Sequence, residues 1–133
     1  MASNRKNHSS GLVWEDVVGY SRAVRINNII EVSGTVAADE DGLVVGRNDG
    51  YQQAMFILLK IEKSLKALGG SLNDVVRTRM FVTDIKRFEE FAKAHGEMFS
   101  KIKPCTSMIE IKSLVEPDYL IEIEATAILA DTK

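Results

Sequence analysis

The chain has 133 residues and is 45% hydrophobic, with apolar residues spread along its length, which suits one compact domain with a core rather than several. Charged residues make up 27% and nearly balance at a formal net charge of -2, so no general electrostatic pull toward nucleic acid or a membrane surface is expected. No window approaches ~18 consecutive apolar residues, and one cysteine with two histidines forms no cluster of zinc-ligand spacing, so neither a membrane span nor a metal site is expected.

Residues 1–17 read as a flexible lead-in and 18–133 as a single domain. The opening MASNRKNHSS is polar and lacks the apolar stretch of a signal peptide. Cys105 can form no internal disulfide. Both features fit a reducing, cytoplasmic setting.

Apolar residues at 24, 26, 30, 32 and 36 flank Asn27-Asn28, a pair that tolerates the positive φ of a tight turn, and predict an antiparallel hairpin. A turn at 39–42 leads to a short strand at 43–45. The period then changes: Ala54, Leu58, Ile61, Leu65 and Leu68 fall on one helical stripe. Asp49 and Gln52 resemble a capping box, Gly69-Gly70 supplies a left-handed stop, and Lys60, Lys63 and Lys66 read as a solvated face. After the SLND turn, 75–83 alternates, with Val76, Thr78, Met80 and Val82 on one side and Arg77, Arg79 and Phe81 on the other. Thr83 or Asp84 caps a second helix, with a stripe of Phe88, Phe91 or Ala92, His95, Met98 or Phe99, and Ile102, ended by Pro104. In the next strand Ser107, Ile109 and Ile111 oppose Thr106, Met108 and Glu110. In the last, 120–129, an apolar face of Ile121, Ile123, Ala125, Ala127 and Leu129 opposes Glu122 and Glu124.

Two amphipathic helices can cover only one face of such a sheet, which predicts an α+β sandwich of two layers. The uncovered face is expected to carry Arg77, Arg79, Glu31, Glu110, Glu122, Glu124, Ser33 and Thr35 among Phe81, Met108, Leu120 and Ile128. Arginines set against glutamates with apolar neighbours favour burial against other subunits, with ligand pockets at the seams.

Four stretches, GYSRAV at 19–24, VSGTV at 32–36, SLNDVVRTRMFVTD at 71–84 and IEIEATAIL at 121–129, in this order and spacing, resemble the RidA family, also called YjgF or UK114. The similarity spans about residues 18 to 130. It implies a chorismate-mutase-like fold, two helices on one face of a mixed sheet, assembled as a homotrimer around an inner β-barrel with small-molecule clefts between subunits. It also implies, for deaminating members, addition of water to an imine or enamine with release of ammonia and no cofactor. The family's glutamate falls on Glu122, its tyrosine on Tyr20 and the serine of its SG motif on Ser33. The arginine that clamps a substrate carboxylate, in a P-x-R-S pattern, falls on Thr106.

That last departure has a physical consequence. A guanidinium offers a charged planar fork, whereas a threonine offers one neutral hydroxyl. Loss of one charge-assisted contact commonly costs ~1.5 to 3 kcal/mol. The resemblance therefore implies a subgroup without the arginine and argues against the standard 2-iminoacid deaminase activity, with Arg79 the candidate replacement. Cys105 joins the candidate cleft residues by position. No histidine adjoins it to make it a nucleophile, so a small side chain at a helix-to-strand junction is its plainer reading. For Glu122 the plainer reading is an ion pair with Arg77 or Arg79, for Tyr20 a packed aromatic, for Ser33 a strand serine bonding backbone, and for His95 a satisfied core histidine. A non-catalytic module binding a metabolite or partner is the alternative function. Ribonuclease or translation-inhibitor action, described for some family members, is disfavoured by the acidic balance and the lack of a basic aromatic stripe.

Overall fold

The computed structural model describes residues 4–130. Six strands and three α-helices follow in the order β1 (Arg5–His8), α1 (Val13–Val18), β2 (Ala23–Ile26), β3 (Ile29–Thr35), α2 (Gly50–Ala67), β4 (Val75–Val82), α3 (Phe88–Phe99), β5 (Cys105–Glu110) and β6 (Ile121–Ile128). The strands form one mixed sheet in the spatial order β1-β2-β3-β6-β4-β5, antiparallel except for β4 with β5. A parallel pair needs a crossover, and α3 supplies it. The long helices α2 and α3 pack together on one face of the sheet, as expected for a two-layer α+β sandwich.

The α2 stripe behaves as its spacing predicts. Ala54, Leu58, Ile61, Leu65 and Leu68 are all buried, joined by Ile57, against Ile30, Val32, Ile121, Ile123, Ala125 and Ala127 of the sheet. Asp49 caps the helix by accepting from the Gln52 backbone N–H at 3.0 Å, and Gly69 ends it at φ 87°. Buried Gln53 ties the distant loops to this helix, donating to Gly46 O and Asp118 O and accepting from Leu120 N. The β2–β3 hairpin turns through Asn27 at φ 55°. No helix among the described residues is long and apolar enough to cross a membrane.

Several expectations change. The lead-in read as flexible contributes β1, which pairs with β2, and α1, which ends at Gly19 at φ 86°. The proposed strand at 43–45 reduces to a single bridge between Ala38 and Val44. In β4 a register shift between Val75 and Arg77 puts Val75 in the core and leaves Val76 exposed. Asp84 caps a short 3-10 turn, so α3 begins only at Phe88, whose ring is exposed; Phe91, Ala94 and Phe99 fill the inward stripe.

The uncovered face also loses members. A second register shift, between Val32 and Thr35 on β3, turns Thr35 inward, where it is buried. Met108 pairs with buried Met80 and packs on the core, as does Leu120. Glu110 spends its carboxylate on the Ile85 N–H, at 2.9 Å. By register the open face carries Glu31, Arg77, Arg79, Phe81, Glu122, Glu124 and Ile128, together with Cys105, Ser107 and Ile109 of β5.

Candidate functional site

Glu122 lies in the middle of the open face, between Phe81 of β4 and the irregular end of β3. A Cβ built on Gly34 would stand 2.8 Å from Glu122 Cδ, so the carboxyl rests directly over that glycine. The glycine of the SG motif makes this room. Burial pushes the Glu122 carboxyl above its ordinary range, neighbouring Glu124 adds to the push, and Arg22 opposes it. A carboxyl held this way keeps its proton to higher pH than an ordinary carboxylate and is suited to proton transfer.

Behind Gly34 lies a residue that the motif reading passed over. Arg22 is buried, and its Nη2 donates to Ser33 O at 3.0 Å, Gly34 O at 2.7 Å and Thr35 Oγ1 at 3.0 Å. Its guanidinium stacks 5.6 Å from the centroid of the Tyr20 ring. The register shift in β3 turns these three acceptors toward it. The sequence signal was present, a charge inside an otherwise uncharged GYSRAV, but nothing local says that the charge is buried. Ser33 donates its hydroxyl to Ser21 O at 2.6 Å. Tyr20 and Ser33 line a hollow of about 500 Å³ beside α1.

The other candidate residues lie apart from these. β5 is three strand spacings from β3, roughly 14 Å at ~4.8 Å per strand. Thr106 and Cys105 occupy opposite faces of β5. Cys105 pairs with Arg77 on the open side, while Thr106 pairs with buried Thr78 and accepts its hydroxyl at 2.7 Å. Thr78 Oγ1 is in turn 2.8 Å from His95 Nε2. His95 stacks on Phe99 and burial pushes its pKa down, so the imidazole is neutral at neutral pH. Arg79 lies on the other face from Thr106 and pairs with Glu124 at 3.5 Å. In a single chain it shares no face with Thr106. Within one chain, then, Tyr20, Ser33 and Glu122 form one group, with Arg22 behind Gly34 on the helix side of the sheet, and Thr106 and Cys105 lie at the opposite edge.

Known proteins resemble this chain in sequence and fold. A family model described as Endoribonuclease L-PSP matches residues 14–129. The chain belongs to the RidA/YjgF/UK114 family. A crystal structure of a Mycobacterium tuberculosis protein, described as a member of the YjgF/YER057c/UK114 family, is 43% identical to this RidA-family chain; the match covers 94% of this chain and 99% of that one, with a TM-score of 0.86. The 3-aminoacrylate deaminase RutC of Acinetobacter baylyi is 33% identical over 108 residues, 81% of this chain and 85% of that protein. A RutC family protein of Pyrococcus abyssi is 32% identical over 108 residues, 81% of this chain and 84% of that one.

The contact over Gly34 gives a direct test of how this RidA-family site is built. The atom that a Gly34→Ala methyl meets first is the far end of a flexible side chain, so the fold absorbs the change while the Glu122 carboxyl swings away. The variant is expected to keep its melting temperature within a few degrees yet lose at least tenfold in any Glu122-dependent turnover. A tenfold loss corresponds to about 1.4 kcal/mol in the barrier. Unchanged turnover in a folded variant would show that the carboxyl's position over Gly34 is immaterial.

Proposed function

We propose that this RidA-family protein binds a small metabolite in clefts between the subunits of a homotrimer and hydrolyses an imine, enamine or related compound with water activated by Glu122. The observation that carries the reading is the Glu122 carboxyl, half-buried on the open sheet face with its pKa raised by desolvation. Packing open faces around an inner barrel would also bring the Thr106 and Cys105 edge of one subunit toward the Tyr20 and Ser33 group of another, which no single chain achieves. An enamine first takes a proton on carbon to become the iminium. As water adds to the C=N carbon, Glu122 takes its proton. Glu122 returns that proton to the carbinolamine nitrogen, then takes the hydroxyl proton as the C–N bond breaks and the carbonyl forms. It hands this second proton to the departing ammonia, which leaves as ammonium with Glu122 again ionised. The sequence of steps is redox-neutral and calls for no cofactor.

Thr106 shapes the choice of substrate. It presents a hydroxyl where relatives of the standard kind place a guanidinium, and Arg79 is engaged with Glu124, so a free carboxylate on the substrate gains little there. The proposed substrate is less dependent on a carboxylate than a 2-imino acid is. These same observations keep a second reading in view, a trimer that binds a metabolite or partner without chemistry.

Ammonia release separates the two. Imines and enamines generated in solution, with and without a carboxylate and including 3-aminoacrylate, are incubated with the protein, and its mass is measured by sedimentation. Accelerated release by a particle of three chain masses, strongest for compounds without a carboxylate, is the expected result. No acceleration for any compound, with ligands that still raise the melting temperature, would leave binding alone. Salt-sensitive RNA binding would instead favour nucleic-acid action.

A further inference from the structure

On the helix side of the sheet, away from Glu122, a groove of about 650 Å³ runs between the segment before α1, the end of β3 and the middle of α2. That is the size of a small-molecule pocket, for which about 300 to 1,000 Å³ is usual. One wall is apolar, made by Leu12, Phe56 and Leu59. Two cations meet in it. Nη2 of Arg22 is fixed by the three acceptors on β3, while Nη1 and Nε have no partner among the described residues. No fully buried side-chain nitrogen among the described residues lacks a partner, so these two reach open space, and the groove is the hollow that Arg22 lines.

Lys60 is the second cation. It was expected on a solvated face, but it is half-buried and gives one N–H to Ala38 O at 2.9 Å. Burial depresses its pKa, the charge of Arg22 depresses it further, and nearby Asp39 opposes both. Two partly desolvated cations side by side are relieved by an anion between them. The rim is held in place, because the Glu15 carboxylate accepts from the backbone and hydroxyl of Ser10 and the Arg22 N–H bonds His8 O. Asp39 and Glu40 also line the groove beside Lys63, and Asp39 is occupied by the Asp41 and Leu43 N–H groups at 2.9 Å. With the Glu15 carboxylate also acting on Arg22, the three cations face three carboxylates, which suits a singly charged ligand with an apolar body better than a compact dianion.

We propose that this groove is a second ligand site, separate from the Glu122 face, for a monocarboxylate with an apolar body, its head held by Arg22 and Lys60 and its tail laid on Phe56, Leu59 and Leu12. Hexanoate is a suitable probe, with hexanamide as the neutral isostere and inorganic phosphate as the compact anion. Titrated into the isotope-labelled full chain, hexanoate should give saturable NMR shifts centred on Phe56, Leu59 and Lys60, with a millimolar or tighter Kd. Hexanamide and phosphate should bind at least tenfold more weakly. Lys60→Met keeps the aliphatic stem and should weaken hexanoate at least tenfold. Hexanamide binding as well as hexanoate, full affinity in Lys60→Met, shifts centred on Tyr20, Ser33 and Glu122, or no saturation at all would each overturn the proposal.

Discussion

Glu122→Gln is expected to slow imine or enamine hydrolysis by about 10²- to 10⁴-fold, the usual range for loss of a general base, while making the folded protein more stable at neutral pH. The two effects have one cause. Burial raises the carboxyl's pKa in the folded chain. A group whose folded pKa lies above its unfolded value binds its proton more readily when folded, so its stabilising contribution is complete below the unfolded pKa and is lost as pH rises through the folded one. At neutral pH the ionised Glu122 is therefore a net cost, which Gln removes without changing shape. The melting temperature of Glu122→Gln should exceed that of the parent at pH 7, and the gap should close toward pH 4. In the parent, the rate should rise with pH through an apparent pKa above the ordinary carboxylate range, and that limb should vanish in the variant. A rate within twofold of the parent would remove Glu122 from the chemistry. A lower melting temperature at pH 7 would show that the carboxylate is held by a favourable partner.

Phe91→Ala is expected to cost about 3 to 5 kcal/mol of folding stability, the range for emptying a buried aromatic site. Phe91 is fully buried where α3 meets the start of α2. A Cβ on Gly50 would stand 2.7 Å from Phe91 Cε1, so the first turn of α2 lies directly against the ring, and the neighbouring Glu90 accepts the Gly50 N–H at 2.8 Å. Neither helix can close over the space the ring leaves without breaking that contact. Against a total of about 5 to 15 kcal/mol, such a loss removes a large fraction of the stability. Urea unfolding should show a lower midpoint with an unchanged slope. A loss under about 1 kcal/mol would mean that the site collapses freely, contrary to the tight packing at Gly50.

How far the sequence could be read differs from element to element. The core stripe and both ends of α2 were legible because the stripe, the Asp49 cap and the Gly69 stop are local signals that agree, whereas the burial of Lys60 was not. The Asn27 turn and the alternation of β6 were legible for the same reason. In β4 the faces of residues 77–82 were read correctly, but Val76 and, at the end of β3, Thr35 were misplaced at register shifts, because one extra residue reverses the alternation across it and nothing in the flanking sequence announces it. Met108, and with it Thr106, was misplaced because β5 was read as a face without knowing that it lies parallel to β4, with Thr106 beside buried Thr78. The β1 strand was missed because RKNH is exposed along almost its whole length and has no apolar alternation to report.

The sequence by itself determined the family, the two amphipathic helices, and the presence of Glu122 on a strand whose other side is core, since periodicity and motifs are properties of residues close along the chain. Only the tertiary structure decided which groups meet. It set the Glu122 carboxyl over Gly34, turned Arg22 onto the carbonyls of Ser33 and Gly34, drew Lys60 out of solvent beside it, and sent Thr106 to a different face from Arg79. Each of these outcomes depends on strand order and on a one-residue shift in pairing, and both are fixed by contacts between segments that the local pattern does not encode.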